Sequence, residues 1–198
     1  RLAMPGGLGG LECALKSLRW PLMAGLPLES GLKARRALTE LDRLAASVPG
    51  FPVRHTLIED LRSTLAPAAV PAGVADKCHV VCAMGELRRQ LHLIRFYADR
   101  GHVDHALVLL REWVVNRCLL AAGDTTAWLD YGKSRHPMEQ RLNGAAERRA
   151  ARRGGDDGAL GSLWAEIRER RNSLAHAGFR PQVVPEPSAA VAGLIDRC

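Results

Sequence analysis

Two runs of helical spacing in the middle of the chain constrain its fold more than any other feature of the 198 residues. From about Asp76 to Asp99, Val80, Met84, Leu87, Leu91 and Ile94 recur at steps of three and four. From Val103 to Ala121, Ala106, Leu109, Leu110, Trp113, Val114 and Cys118 follow the same rule. Apolar residues at that period share one face of a helix, and such a face needs a partner. Gly101 between the runs leaves room only for a tight turn, so the two helices fold back as an antiparallel pair. No stretch alternates polar and apolar residues over the length of a strand, and no internal repeat stands out. The expected fold class is all-α.

The flanks extend that pattern. The opening RLAMPGGLGG is Gly-rich and lacks the Gly-Lys-Ser/Thr ending of a phosphate-binding loop. Leu11 to Met23 forms a short helix with Pro21 near its end, and Gly31 to Val48 a clearer one stopped by Pro49-Gly50. Thr56 followed by Glu59 has the form of a capping box, with Leu57, Ile58, Leu61 and Leu65 carrying a third helix. The segment APAAVPAG (66–73) discourages both helix and central strand. A boundary there separates an N-terminal helical subdomain or extension, 1–70, from a helical domain, 71–198. Beyond the central pair, Asp124 can cap a short helix through Trp128 and Tyr131. Pro137 suits the first turn of a basic helix over Met138 to Ala150. Ala189 to Arg197 adds a last turn of helix.

Charge bears on partners. Lys and Arg number 28 against 21 acids, a net charge of +7, with pI near 9.6. Residues 131–180 hold eleven bases and six acids, so five of the seven net charges lie in those fifty residues. The balance favours a polyanionic partner, and a solvated, solubilising surface is the alternative. No apolar run reaches the roughly 18 to 20 residues that span a bilayer. Five cysteines, odd in number and irregularly spaced, argue against a disulfide framework and for a reducing cytoplasm. Cys78 and Cys82 beside His79 lack the second matching pair of a zinc site, and no metal or other cofactor is expected.

The chemistry-bearing stretch is WAEIRERRNSLAHAGFR (164–180). Leu160, Leu163, Trp164, Ile167 and Leu174 make it an amphipathic helix, started by Asp157 or Gly158 and closed near Gly178. Arg171 falls inside the apolar stripe, where an unpaired guanidinium would cost several kcal/mol. It therefore borders a cleft, pairs with an acid or faces another subunit. Arg171, Asn172 and His176 put a permanent cation, an amide and an imidazole within six residues. A surface arginine with a helix-terminal histidine favoured by the dipole is the plainer reading of the same residues.

The string RxxRNSLAHAGF, together with LLREW at 109–113, resembles the R-x4-6-H signature of the HEPN superfamily. Within it the closest likeness is to the type III CRISPR-associated ribonucleases that join a HEPN domain to a cyclic-oligoadenylate sensor. The resemblance covers about residues 77–180. It implies a HEPN-like helical bundle with the long antiparallel pair and a basic loop insertion. It also implies a metal-independent endoribonuclease acting on single-stranded RNA, working as a homodimer in CRISPR-linked antiviral defence. Arg171, Asn172 and His176 would be catalytic. Arg168, Arg170 and Arg180, with Arg148, Arg149, Arg152 and Arg153 in the basic loop, would hold RNA. Residues 1–70 do not resemble the sensor, so that domain is expected to be missing from this chain. The alternative is a non-catalytic helical module that binds RNA, a nucleotide or a partner protein.

RNA carries its own nucleophile, the 2′-hydroxyl, and attack on the adjacent phosphate needs proton transfer and charge stabilisation. Histidine, with an ordinary pKa of about 6.5, suits the first task and arginine the second. A five-residue step turns about 140° on an ideal helix, so Arg171 and His176 diverge while Asn172 and His176 share a face. Convergence therefore needs a distorted helix end or a second subunit, paired through Leu160, Trp164, Ile167 and Leu174.

Overall fold

The computed structural model describes residues 8–47, 52–151, 157–175 and 187–197. Eight α-helices account for most of them, and no strand occurs among the described residues. The chain divides into two units, Arg1–Val80 and Val81–Cys198.

The first unit contains α1 (Leu8–Met23), α2 (Pro27–Ser47) and α3 (Pro52–Leu65), followed by 3-10 turns at Ala66–Ala68 and Lys77–His79. Leu11, Ala14 and Leu18 of α1 meet Ala34, Ala37, Leu38 and Leu41 of α2 in one core, with Leu65 and Ala69 beneath. The alanines let the two backbones approach closely. The proline-rich stretch 66–73 is bound to α2: Arg35 Nε donates to the Val70 carbonyl at 2.7 Å, and Val70 N–H to the Gly31 carbonyl at 3.2 Å. The two units divide between Val80 and Val81. α3 starts at Pro52, so Thr56 and Glu59 lie inside the helix and form no capping box. Glu59 pairs instead with Arg62.

The second unit contains α4 (Met84–Ala98), α5 (Val103–Ala121), a π-helical turn (Tyr131–Arg135), α6 (His136–Ala151), α7 (Asp157–Ala175) and α8 (Pro187–Asp196). α4 and α5 form the expected antiparallel pair, joined through Gly101, whose φ of 75° suits a residue without Cβ. α5 is the centre of the unit and packs on α4, α6, α7 and α8. That position explains why Leu107, Val115 and Leu119 are buried as well as Ala106, Leu109, Leu110, Trp113 and Val114, while Cys118 is half-buried. α4 is shorter than the spacing predicts. The Asp76 side chain accepts from Cys78 N–H at 2.8 Å and holds a 3-10 turn there. The chain then runs extended, with Val80 and Cys82 buried and Val81 exposed between them, a period of two. Helix begins only after Ala83, and its inward face is Leu87, Gln90, Leu93, Ile94 and Tyr97. Met84 is exposed.

The expected helix from Asp124 through Tyr131 is replaced by turns and the π-helical segment. Asp124 accepts from the Ser134 hydroxyl at 3.1 Å, and Asp130 caps the π turn by accepting from Lys133 N–H at 3.0 Å. α6 continues directly from that turn and antiparallel to α7. At their crossing Gly161 lies so close that an added Cβ would stand 3.0 Å from the Ala145 backbone.

Candidate functional site

The signature helix, α7, buries Leu163, Trp164 and Ile167, while Leu160 is 42% exposed and Leu174 half-buried. Trp164 and Ile167 therefore belong to the chain's own core. This corrects the expectation that they offer a face to a second subunit; only Leu160 and part of Leu174 remain for one. Trp164 Nε1 donates to Asn143 Oδ1 of α6 at 2.8 Å, and the Arg111 guanidinium stands 5.2 Å from its ring centroid.

Arg171 lies seven residues beyond Trp164 and so points in nearly the same direction. Trp164 is buried and Arg171 exposed, so the last turns of α7 emerge from the packing that covers its middle. The unpaired charge avoids its desolvation cost in this way: it stays in water, and it has no ion pair among the described residues. Asn172 is half-buried beside it. Arg168, one turn back, is exposed and donates to Asn143 Oδ1 at 3.2 Å. Arg170 is committed elsewhere, bonding Glu166 at 2.7 Å, while Glu166 also holds Arg197 just after α8. Partial burial raises the Glu166 carboxyl, but hydrogen bonds from Arg197 and Arg170 outweigh it and hold its pKa below the usual range. Arg148 is exposed on α6, and Arg149 follows it on the same helix. His176, Arg152, Arg153 and Arg180 lie outside the described residues.

A polar network, absent from the sequence reading, supports this end of the unit. Glu86 and Arg89 of α4 pair at 2.5 Å with side chains only 4% and 5% exposed. Gln90 donates to Glu86 at 2.7 Å, Asn116 of α5 to Gln90 at 2.9 Å, and Arg135 to Asn116 at 2.7 Å. Arg135 also bonds Glu112 and the Trp128 carbonyl, Glu112 bonds Arg111, and Arg111 reaches Glu139 of α6 at 2.7 Å. Three arginines balance three carboxylates; Glu86, Arg89 and Glu139 are buried and Arg111, Glu112 and Arg135 half-buried. The network pins Arg135 at the end of the π-helical turn. On the outer side of that turn, Tyr131 and His136 stand with ring centroids 5.5 Å apart, and Gln140 Nε2 lies 3.0 Å from His136 Nε2.

Among the described residues, no group of three or more His, Cys, Asp and Glu side chains could hold a metal ion. No helix among them is long and apolar enough to cross a membrane. Neither a protein-family model, nor a curated protein, nor a solved structure matches the chain.

Proposed function

We propose that the chain is a metal-independent endoribonuclease for single-stranded RNA, working in the cytoplasm as a homodimer in the manner of HEPN enzymes. The observation that carries this reading is Arg171. It is a cation held in solvent at the end of a rigid helix, beside Asn172 and one turn from the exposed Arg168. Guanidinium groups in that setting suit the non-bridging oxygens of a phosphate.

The reaction needs only the chain's own residues. The 2′-hydroxyl loses its proton and attacks the neighbouring phosphorus while the bond to the 5′-oxygen breaks. The products are a 2′,3′-cyclic phosphate and a 5′-hydroxyl. The imidazole of His176 moves the proton, Arg171 offsets the charge gathering on the phosphoryl oxygens, and Asn172 orients one or the other by hydrogen bonding. A five-residue step on an ideal helix sets Arg171 and His176 apart, so in this reading each cleft draws on two subunits.

The test is to incubate the purified chain with labelled single-stranded RNA in EDTA. Cleavage giving cyclic-phosphate ends, with DNA of the same sequence untouched, is the expected result. Activity that is lost in EDTA and restored by magnesium or manganese would overturn the mechanism. The second reading, a binding module without catalysis, is favoured by one observation: Arg168 and Arg170 are engaged with Asn143 and Glu166, as structural residues are.

A further inference from the structure

The register of α6 against α7 brings together residues that the signature does not contain. Gly161 opposes Ala145, and both Trp164 and Arg168 reach Asn143. The helices are antiparallel, so moving forward along α7 moves backward along α6. At 1.5 Å per residue, that register sets Arg171 level with the first turn of α6, where His136 begins. Faces match as well as heights. Trp164, Arg168 and Arg171 follow one another at steps of four and three along α7, and His136, Gln140 and Asn143 do so along α6. The two stripes are joined at Asn143, and the register extends both toward the signature end.

At that end stand the two rings. Tyr131 is 61% exposed, His136 is exposed, their centroids are 5.5 Å apart at 38°, and the phenol oxygen lies 3.4 Å from His136 Nδ1. Tyr131 packs on the His136 ring alone among the described aromatic contacts and leaves most of its own surface to solvent. The turn carrying it is π-helical, a rare geometry that is frequent at functional sites. It is also fixed from beneath, because Arg135 is held by Asn116, Glu112 and the Trp128 carbonyl, and Asp130 caps the turn. Lys133 lies on the same surface, its side chain 79% exposed and its ammonium 3.8 Å from Asp130 Oδ2.

We infer that Tyr131 and His136 form a stacking platform for a nucleobase of single-stranded RNA, set beside the Arg171 phosphate site. The inference rests on the proposed RNA reading and adds to it the residues that receive a base. Aromatic faces take any base, so the platform contributes affinity with little sequence preference. Arg171 and Arg168 grip the backbone along the seam, while the rings hold the adjoining base out of the way of the scissile phosphate.

The experiment uses the full chain and a short 2′-O-methyl RNA, which binds but cannot be cut, alongside an abasic strand of the same length and charge. Tyr131→Ala should weaken binding of the base-bearing strand by about tenfold and leave the abasic strand's affinity and the salt slope unchanged. Tyr131→Trp should retain or improve binding of the base-bearing strand, which shows that the ring matters rather than the fold. Equal losses on both strands, or no loss on either while Arg171→Ala does weaken binding, would overturn the platform and leave the RNA reading intact. Wild-type protein that binds neither strand would overturn both.

Discussion

Glu86 and Arg89 show how much a single residue can carry in this chain. Both are buried, each is the other's counter-charge, and through Gln90 and Asn116 they lead to Arg135. Removing one partner strands the other charge away from water. Arg89→Ala should therefore destabilise the second unit by about 3–5 kcal/mol, measured by denaturant unfolding. The double change Glu86→Gln, Arg89→Met should recover much of that loss, because no lone charge is left behind. A loss below that range for Arg89→Ala, with nothing recovered by the double change, would mean the pair is better hydrated than its burial indicates. None of this was legible in the sequence, because periodicity tracks hydropathy and charged residues on an inward face read as surface. Arg111 and Glu112, inside the LLREW string, were noticed only for their resemblance. The spacing places Arg171 in line with Trp164, and the structure leaves its charge exposed rather than buried. The sequence places Tyr131 at a helix end, since nothing in a sequence announces a π-helical turn.

Elements were easier to foresee where hydrophobic period and stop signal agree. α5 spans the predicted Val103–Ala121, and α7 starts at Asp157, one of the two expected starting residues. α4 was overextended because Val80 fits a helical stripe and a period-two strand equally well, and only the Asp76 turn decides between them. The Thr56 capping box failed for a related reason, since Pro52 opens the helix one turn earlier. The crossing of α6 and α7 depends on Gly161, whose role cannot be read without knowing its neighbour. Gly161→Val would drive a branched side chain into the Ala145 backbone. It should lower stability by about 1–3 kcal/mol, and it should disturb the seam that aligns Arg171 with His136. Thermal unfolding would measure the first effect. A variant as stable as the parent would mean the helices can part without cost.

For the whole molecule, the charge imbalance is the property most open to direct test. Five of seven net positive charges lie in residues 131–180, on and around α6 and α7. Replacing Arg148, Arg149, Arg152 and Arg153 together with Gln should weaken RNA binding and flatten its dependence on salt, with cutting of bound RNA little changed. An unaltered salt slope would return those arginines to a solubilising role. The central claim is that Arg171 and His176 act on RNA as a catalytic pair. The measurement that tests it most directly is single-turnover cleavage and equilibrium binding of one labelled RNA by wild type, His176→Ala and Arg171→Ala. His176→Ala should abolish cleavage while keeping affinity within a few-fold, because proton transfer matters in the transition state. Arg171→Ala should lower both, since its charge also holds the ground-state phosphate. A wild-type chain that binds RNA without ever cutting it, with both substitutions altering binding alone, would contradict the account.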